Sequence, residues 1–307
     1  MTVHTSLIKE FKNRQLRALS RFITLAENKH ELVCTLLNDV YGTAGKASII
    51  GITGPPGAGK STLINFFVKM IRESEKTVAV IAVDPVSPFS GGALLGDRIR
   101  LTEHFKDPGV FIRSLSTRGK LGGLSLATRE VVNIADCFGF DYILIETVGV
   151  GQSEVDVRKI ADATLLVLVP EWGDAIQTMK AGILEIGDIF VINKSDREGA
   201  DRLKTDLEAS LQIAHRAQAP VVTTHHQSES SIRKLFAIIT QFLETQEDII
   251  SERRKLAVRE TINELLESIA IEEARRWVKE NIKEEKNPYE FILRFLKAHP
   301  PESFFEK

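Results

Sequence analysis

The chain has 307 residues, 43% hydrophobic and 27% charged, enough for one or two domains at about 150 residues each. Its 40 Lys+Arg against 42 Asp+Glu leave a formal charge of −2, which supplies no general pull toward nucleic acid or an anionic membrane and argues against both as partners. Cys34 and Cys137 are too few and too far apart for a disulfide framework or a multi-cysteine zinc site. The N-terminus has no apolar stretch long enough for a signal sequence or a membrane span, so a cytoplasmic location is expected.

Residues 5 to 41 place Leu7, Ile8, Phe11, Leu16, Leu19, Phe22, Ile23, Leu32, Val33, Leu36, Leu37 and Val40 at helical spacing, which predicts two or three amphipathic helices in an N-terminal segment, 1–45. Tyr41-Gly42-Thr43-Ala44-Gly45 stops that pattern. From Ser48 the apolar residues come in short runs: 49–52, 78–83, 142–145, 165–169, 189–192 and 221–222. Helical stretches at 61–73, 125–137, 174–185 and 202–216 separate most of them. Repeated β-α units predict a three-layer α/β domain over 46–245 with a mostly parallel sheet buried on both faces. After Phe242, the residues Val258, Ile262, Leu265 and Ile269 mark a long amphipathic helix. Asn287-Pro288 interrupts it before a last short helix with Phe291, Ile292, Phe295 and Leu296. These ends predict N-terminal helices and a C-terminal helical arm, 246–307, on either side of the α/β domain.

Gly54-Pro55-Pro56-Gly57-Ala58-Gly59-Lys60-Ser61-Thr62 fits G-x-x-x-x-G-K-[ST], follows an apolar strand and opens a helix, the context that the motif requires. Its glycines let backbone N–H groups curl around phosphates. Lys60 places a cation against the β- and γ-phosphates, Ser61 can ligate Mg²⁺, and the helix N-terminus adds a positive dipole end. Asn193-Lys194-Ser195-Asp196, directly after the run 189–192, fits N-K-x-D. A carboxylate at Asp196 can accept from the guanine N1–H and N2–H₂, which adenine does not offer in that arrangement, so GTP is favoured over ATP.

Two strands end in acids, Asp84 and Glu146, and Asp97 lies in the glycine-rich stretch 91–98. Any one of them could be a strand-end cap or a turn residue. Three converging on the carboxyl edge of the sheet, where phosphates lie, point instead to magnesium or its waters. Asp84 is the candidate for orienting the attacking water, and Gly149 for sensing the γ-phosphate through its N–H. No residue is an obvious arginine finger, so slow intrinsic turnover is expected.

The segments Gly51 to Ser61, Val83-Asp84-Pro85 with Ser90-Gly91-Gly92 and Leu95-Gly96-Asp97, Pro108 to Ser114, Glu146 to Glu154, and Asp174 to Asp196 resemble those of the MeaB/ArgK/MMAA GTPases, from about Ile8 to Phe242. The resemblance implies a homodimeric G-protein metallochaperone of the SIMIBI class, with a C-terminal dimerisation arm, that uses GTP, GDP and Mg²⁺. It implies a partner too, an adenosylcobalamin-dependent acyl-CoA mutase, usually methylmalonyl-CoA mutase. The family's phosphate and metal positions carry onto Lys60, Ser61, Asp84, Asp97 and Glu146, and its base-reading positions onto Asn193, Lys194 and Asp196. Its third switch carries onto Asp174, Gln177 and Lys180, which read equally well as an ordinary helix start. Two departures stand out: Glu171-Trp172-Gly173 replaces a run of glycines, and Val222 to His226 lacks the usual Ser-Ala-type sequence. Other readings are a nickel-delivery GTPase of the hydrogenase or urease type, a P-loop small-molecule kinase, or an assembly module that binds nucleotide without turnover.

Overall fold

Strand side chains alternate between two apolar layers, and that alternation sets the architecture. The computed structural model describes residues 3–28, 32–84, 103–116, 126–147, 153–172 and 182–281. The chain divides into two units, Met1–Ala257 and Val258–Lys307.

In the first unit, seven strands form one sheet: β1 (Ser48–Thr53), β2 (Val78–Asp84), β3 (Val110–Ser116), β4 (Tyr142–Thr147), β5 (Ala163–Leu168), β6 (Ile189–Ile192) and β7 (Val221–Thr223). Their order is β3-β2-β4-β1-β5-β6-β7 and every pair is parallel. The expected α/β three-layer fold with a parallel sheet is present. All six expected runs are strands, and β3 is a seventh that hydropathy did not single out. It is an edge strand whose Arg113, Ser114 and Ser116 break the apolar run.

Ten helices are found among the described residues: α1 (Val3–Lys12), α2 (Leu16–Glu27), α3 (Leu32–Val40), α4 (Lys60–Glu73), α5 (Leu126–Phe138), α6 (Ser153–Ile160), α7 (Gly182–Ile186), α8 (Ala200–Ile213), α9 (Glu229–Thr245) and α10 (Glu247–Asn281). On one face Ile49, Ala79, Ile81, Ile143 and Ile145 share a core with α1–α3, α5 and α6. On the other Ile50, Ile52, Val78, Val80, Leu144, Leu165 and Val167 pack under α4 and α9. Leu166, Leu168, Phe190 and Ile192 meet α8 and Leu184 of α7. The N-terminal helices are seated by aromatic edges: Phe11 lies 5.4 Å from Phe22 and 5.2 Å from Phe138 between ring centroids. The expected last helix around Phe291 falls outside the described residues.

At the amino edge of the sheet, buried carboxylates gather the strand starts. Asp136 accepts from the N–H groups of Gly45, Lys46 (3.1 Å) and Ala47 (2.9 Å). Asp162 accepts from Ile49 N–H at 2.8 Å, and Asp188 from Thr164 N–H at 2.9 Å. The first turns of α10 then supply two guanidinium groups. Arg253 donates to both oxygens of Asp188 at 2.8 and 2.6 Å, and Arg254 to both oxygens of Asp162 at 2.8 and 2.6 Å. The side chains of Asp188 and Asp162 are 4% and 2% exposed, so the pairs are desolvated, and breaking one strands a buried charge.

In the second unit, α10 continues from Val258 to Asn281 with Val258, Ile262, Leu266 and Ile269 exposed. No helix among the described residues is long and apolar enough to cross a membrane.

Arg253→Met would leave Asp188 with Thr164 N–H as its remaining hydrogen-bond donor among the described residues. A stability loss of about 3 kcal/mol is expected, read as a lowered melting temperature, and Arg253→Lys should recover only part of it because it lacks the bidentate fork.

Candidate functional site

The strand order reverses at β1, whose neighbours are β4 and β5, so the carboxyl ends of these strands border the crevice where α/β sheets bind ligands. The chain leaving β1 turns at once. Gly54 has φ +139° and its backbone lies against β5, where an added Cβ would sit 2.1 Å from the Val167 carbonyl oxygen. Gly59 has φ +89°, and an added Cβ would sit 2.3 Å from Asn193 Nδ2. Only glycine fits either position. Helix α4 starts on the next residue, so the N–H groups of its first turn open into the loop.

The expected phosphate lysine is inside that loop. Lys60 is 6% exposed and donates from Nζ to the carbonyl oxygens of Gly54 at 2.8 Å and Pro55 at 3.0 Å. Ser61, also buried, donates from Oγ to Glu146 Oε1 at 2.7 Å. Glu146 reaches it because β4 pairs with β1 in a register that sets Ile52 beside Glu146. One residue further, Thr147 Oγ1 donates to Thr53 Oγ1 at 2.9 Å and ties the two strand ends together. A hydroxyl and a carboxylate in contact are hard oxygen donors of the kind that Mg²⁺ takes. The backbone of Asp84 pairs with Ser116 at the same edge, while its side chain lies outside the described residues. Asp97, Gly149, Asp174, Gln177 and Lys180 also lie outside the described residues. Among the described residues no group of three or more His, Cys, Asp or Glu is placed to hold a metal ion.

The N-K-x-D segment leaves the end of β6. Its Asn193 is 6% exposed and acts as a bracket: Nδ2 donates to the Ala58 carbonyl of the glycine-rich loop at 2.8 Å, and Oδ1 accepts from Thr224 Oγ1 at 3.1 Å. The partners fix which end of the amide is which. Backbone bonds complete the frame, from Asn193 N–H to Leu168 O at 2.8 Å and from Ser195 N–H to Thr224 O at 3.0 Å. Lys194 takes φ +56° and Arg197 N–H closes the turn on Lys194 O at 3.0 Å. Asp196 is exposed at the tip of this turn. The segment and the glycine-rich loop, more than a hundred residues apart in sequence, therefore share one edge.

Thr224 is a site residue that motif reading missed. The departure at Val222 to His226 drew attention to what was absent there, whereas Thr224 supplies a fully buried hydroxyl to Asn193. The same segment places the His225 backbone nitrogen 3.5 Å from Ser231 Oγ. Burial, with Asp136 nearby, pushes the Cys137 thiol up to about 12, so it is neutral at physiological pH and serves as a small apolar core group.

The model of the family described as "Methylmalonyl Co-A mutase-associated GTPase MeaB" matches residues 19–281. The chain belongs to the MeaB family. It is a P-loop GTPase and so binds guanine nucleotide. A putative GTPase of Pyrococcus abyssi is 47% identical over 271 residues, covering 86% of this chain and 84% of that protein. The mitochondrial methylmalonic aciduria type A homolog of Mus musculus is 39% identical over 231 residues, 70% of this chain and 55% of that one. The crystal structure of an LAO/AO transport system kinase superposes with a TM-score of 0.68 at 25% identity, covering 98% of this chain and 95% of that one.

Thr224→Val keeps the shape and removes the hydroxyl that holds Asn193 Oδ1. It is expected to cost about 1–2 kcal/mol of stability and to weaken binding of GDP and GTP alike, measured by thermal melting and by nucleotide titration.

Proposed function

We propose that this protein is a GTP-hydrolysing chaperone whose nucleotide state gates adenosylcobalamin delivery to, and protection of, an acyl-CoA mutase, methylmalonyl-CoA mutase first among candidates. The observation that carries this reading is the family match across residues 19–281. It is joined by a buried Lys60, Ser61 and Glu146 set beside an N-K-x-D segment. The product of the reaction that matters to the client is a conformational state, released when γ-phosphate contacts are lost. The chain is proposed to work as a cytoplasmic homodimer, with the exposed Val258, Ile262, Leu266 and Ile269 of α10 covered by a second copy.

Within the site, the backbone from Gly54 to Thr62 cradles the phosphates, including Pro55, Pro56, Gly57, Ala58 and Gly59, and Lys60 neutralises charge on the β- and γ-phosphates. Asn193, Lys194 and Asp196 read guanine. Ser61 and Glu146, with Asp84 and Asp97, would hold Mg²⁺, which would supply positive charge against the transferring phosphoryl oxygens. Asp84 orients the attacking water and Gly149 senses the γ-phosphate. Asp174, Gln177 and Lys180 form the segment that answers to both nucleotide and mutase.

The test is GTP turnover by the purified chain, with ATP as control, alone and with the acyl-CoA mutase of the same cell titrated in. Stimulation of GTP but not ATP hydrolysis, lost in Lys60→Ala, is the expected result. GTP turnover indifferent to the mutase would overturn the client assignment and leave the GTPase. Asp84→Ala should lower turnover by a factor of at least about one hundred without a matching loss of GTP affinity; parental turnover would remove the water-orienting role. Sedimentation that stays monomeric in every nucleotide state would overturn the dimer.

A further inference from the structure

We infer that the ion pair between Glu171 and Arg197 is a latch on the base side of the nucleotide site that slows the release of guanine nucleotide. The inference rests on the proposed base-reading role of Asp196.

The end of β5 is a junction. Val167 O is the atom against which Gly54 of the glycine-rich loop packs. Leu168 O takes the Asn193 N–H. Beyond Val169 the contact with the base segment continues: Pro170 Cβ lies 3.8 Å from where a Cβ on Gly199 would stand, and the Glu171 carboxylate accepts from Arg197 Nη1. Glu171 belongs to a single 3₁₀ turn, Pro170–Trp172, and precedes Asp174 by three residues. Arg197 directly follows Asp196.

Among the described residues Asp196 makes no hydrogen bond or ion pair of its own, so its position depends on the anchors on either side. On one side is the buried Asn193 bracket. On the other is Arg197, whose backbone closes the turn on Lys194 and whose side chain reaches Glu171. The two anchors differ in kind. Asn193 is inside the protein and satisfied twice, whereas the side chains of Arg197 and Glu171 are 50% and 46% exposed. An exposed pair is weak and screened by salt, so it opens easily. Opening it frees the Arg197 side chain and loosens the turn that carries Asp196.

Release of a fluorescent GDP analogue from the full chain, chased with excess GDP and without any mutase present, tests this. At low salt Glu171→Gln and Arg197→Gln should each speed release about two- to five-fold. The double variant should be no faster than either single one, and high salt should bring the parental rate up to theirs. Parental release rates in both single variants, effects that add in the double, or a difference that persists at high salt would each overturn the latch. Asp196→Ala separates this failure from failure of the underlying reading: if it leaves GDP affinity unchanged, the base assignment itself is wrong, whatever the latch variants do.

Discussion

The hydrogen bond from Asn193 Nδ2 to the Ala58 carbonyl joins the two halves of the nucleotide site, and much of the surrounding structure is arranged to permit it. The amide must approach the glycine-rich loop so closely that position 59 has no room for a Cβ. The other end of the amide must be held, which Thr224 does from a fully buried position on the far side. A buried network with each member satisfied has one low-energy arrangement, since an alternative would leave a polar group without a partner. The phosphate loop and the base loop therefore share one geometry, although 135 residues separate the bonded atoms in sequence.

The opposite edge of the sheet uses a second set of buried polar groups to a different end. Asp162 ties β1 to the start of β5, Asp188 bonds the N–H of Thr164 in β5 from the start of β6, and Arg254 and Arg253 lie across them. Those are the strands whose carboxyl ends carry the glycine-rich loop, the turn with Glu171 and the N-K-x-D segment. Buried ion pairs add little net stability against apolar replacements, but their removal one partner at a time is costly. They hold the strand starts in register at the edge away from the candidate site.

What was legible in the sequence depended on whether a residue's role is set by its neighbours in the chain. Strands buried on both faces must be apolar at successive positions, so the runs from Ile49 to Val222 showed themselves directly. The glycine-rich loop was readable because the role expected of it needs only consecutive backbone N–H groups. Edge strand β3 was not, since Arg113 leaves the apolar pattern to pair with Glu27 of α2. Helix α6 was too short and too charged for periodicity to register. Nothing in the local sequence marks Arg253 and Arg254 within a polar helix, or Asp162 and Asp188 just before β5 and β6, as partners; the fold brings them face to face. Thr224 escaped for the same reason, its partner lying 31 residues away.

The state of Lys60 connects the fold to the chemistry. Its ammonium is already out of water, held on the carbonyls of Gly54 and Pro55, so the cost of desolvating it is carried by folding and not by nucleotide binding. In its proposed role Lys60 would turn to charged phosphate oxygens, and charge-assisted hydrogen bonds are the stronger kind. Ser61 and Glu146 are likewise in contact before any ligand arrives. Donors and acceptors fixed in place stabilise charge without having to reorganise as it develops.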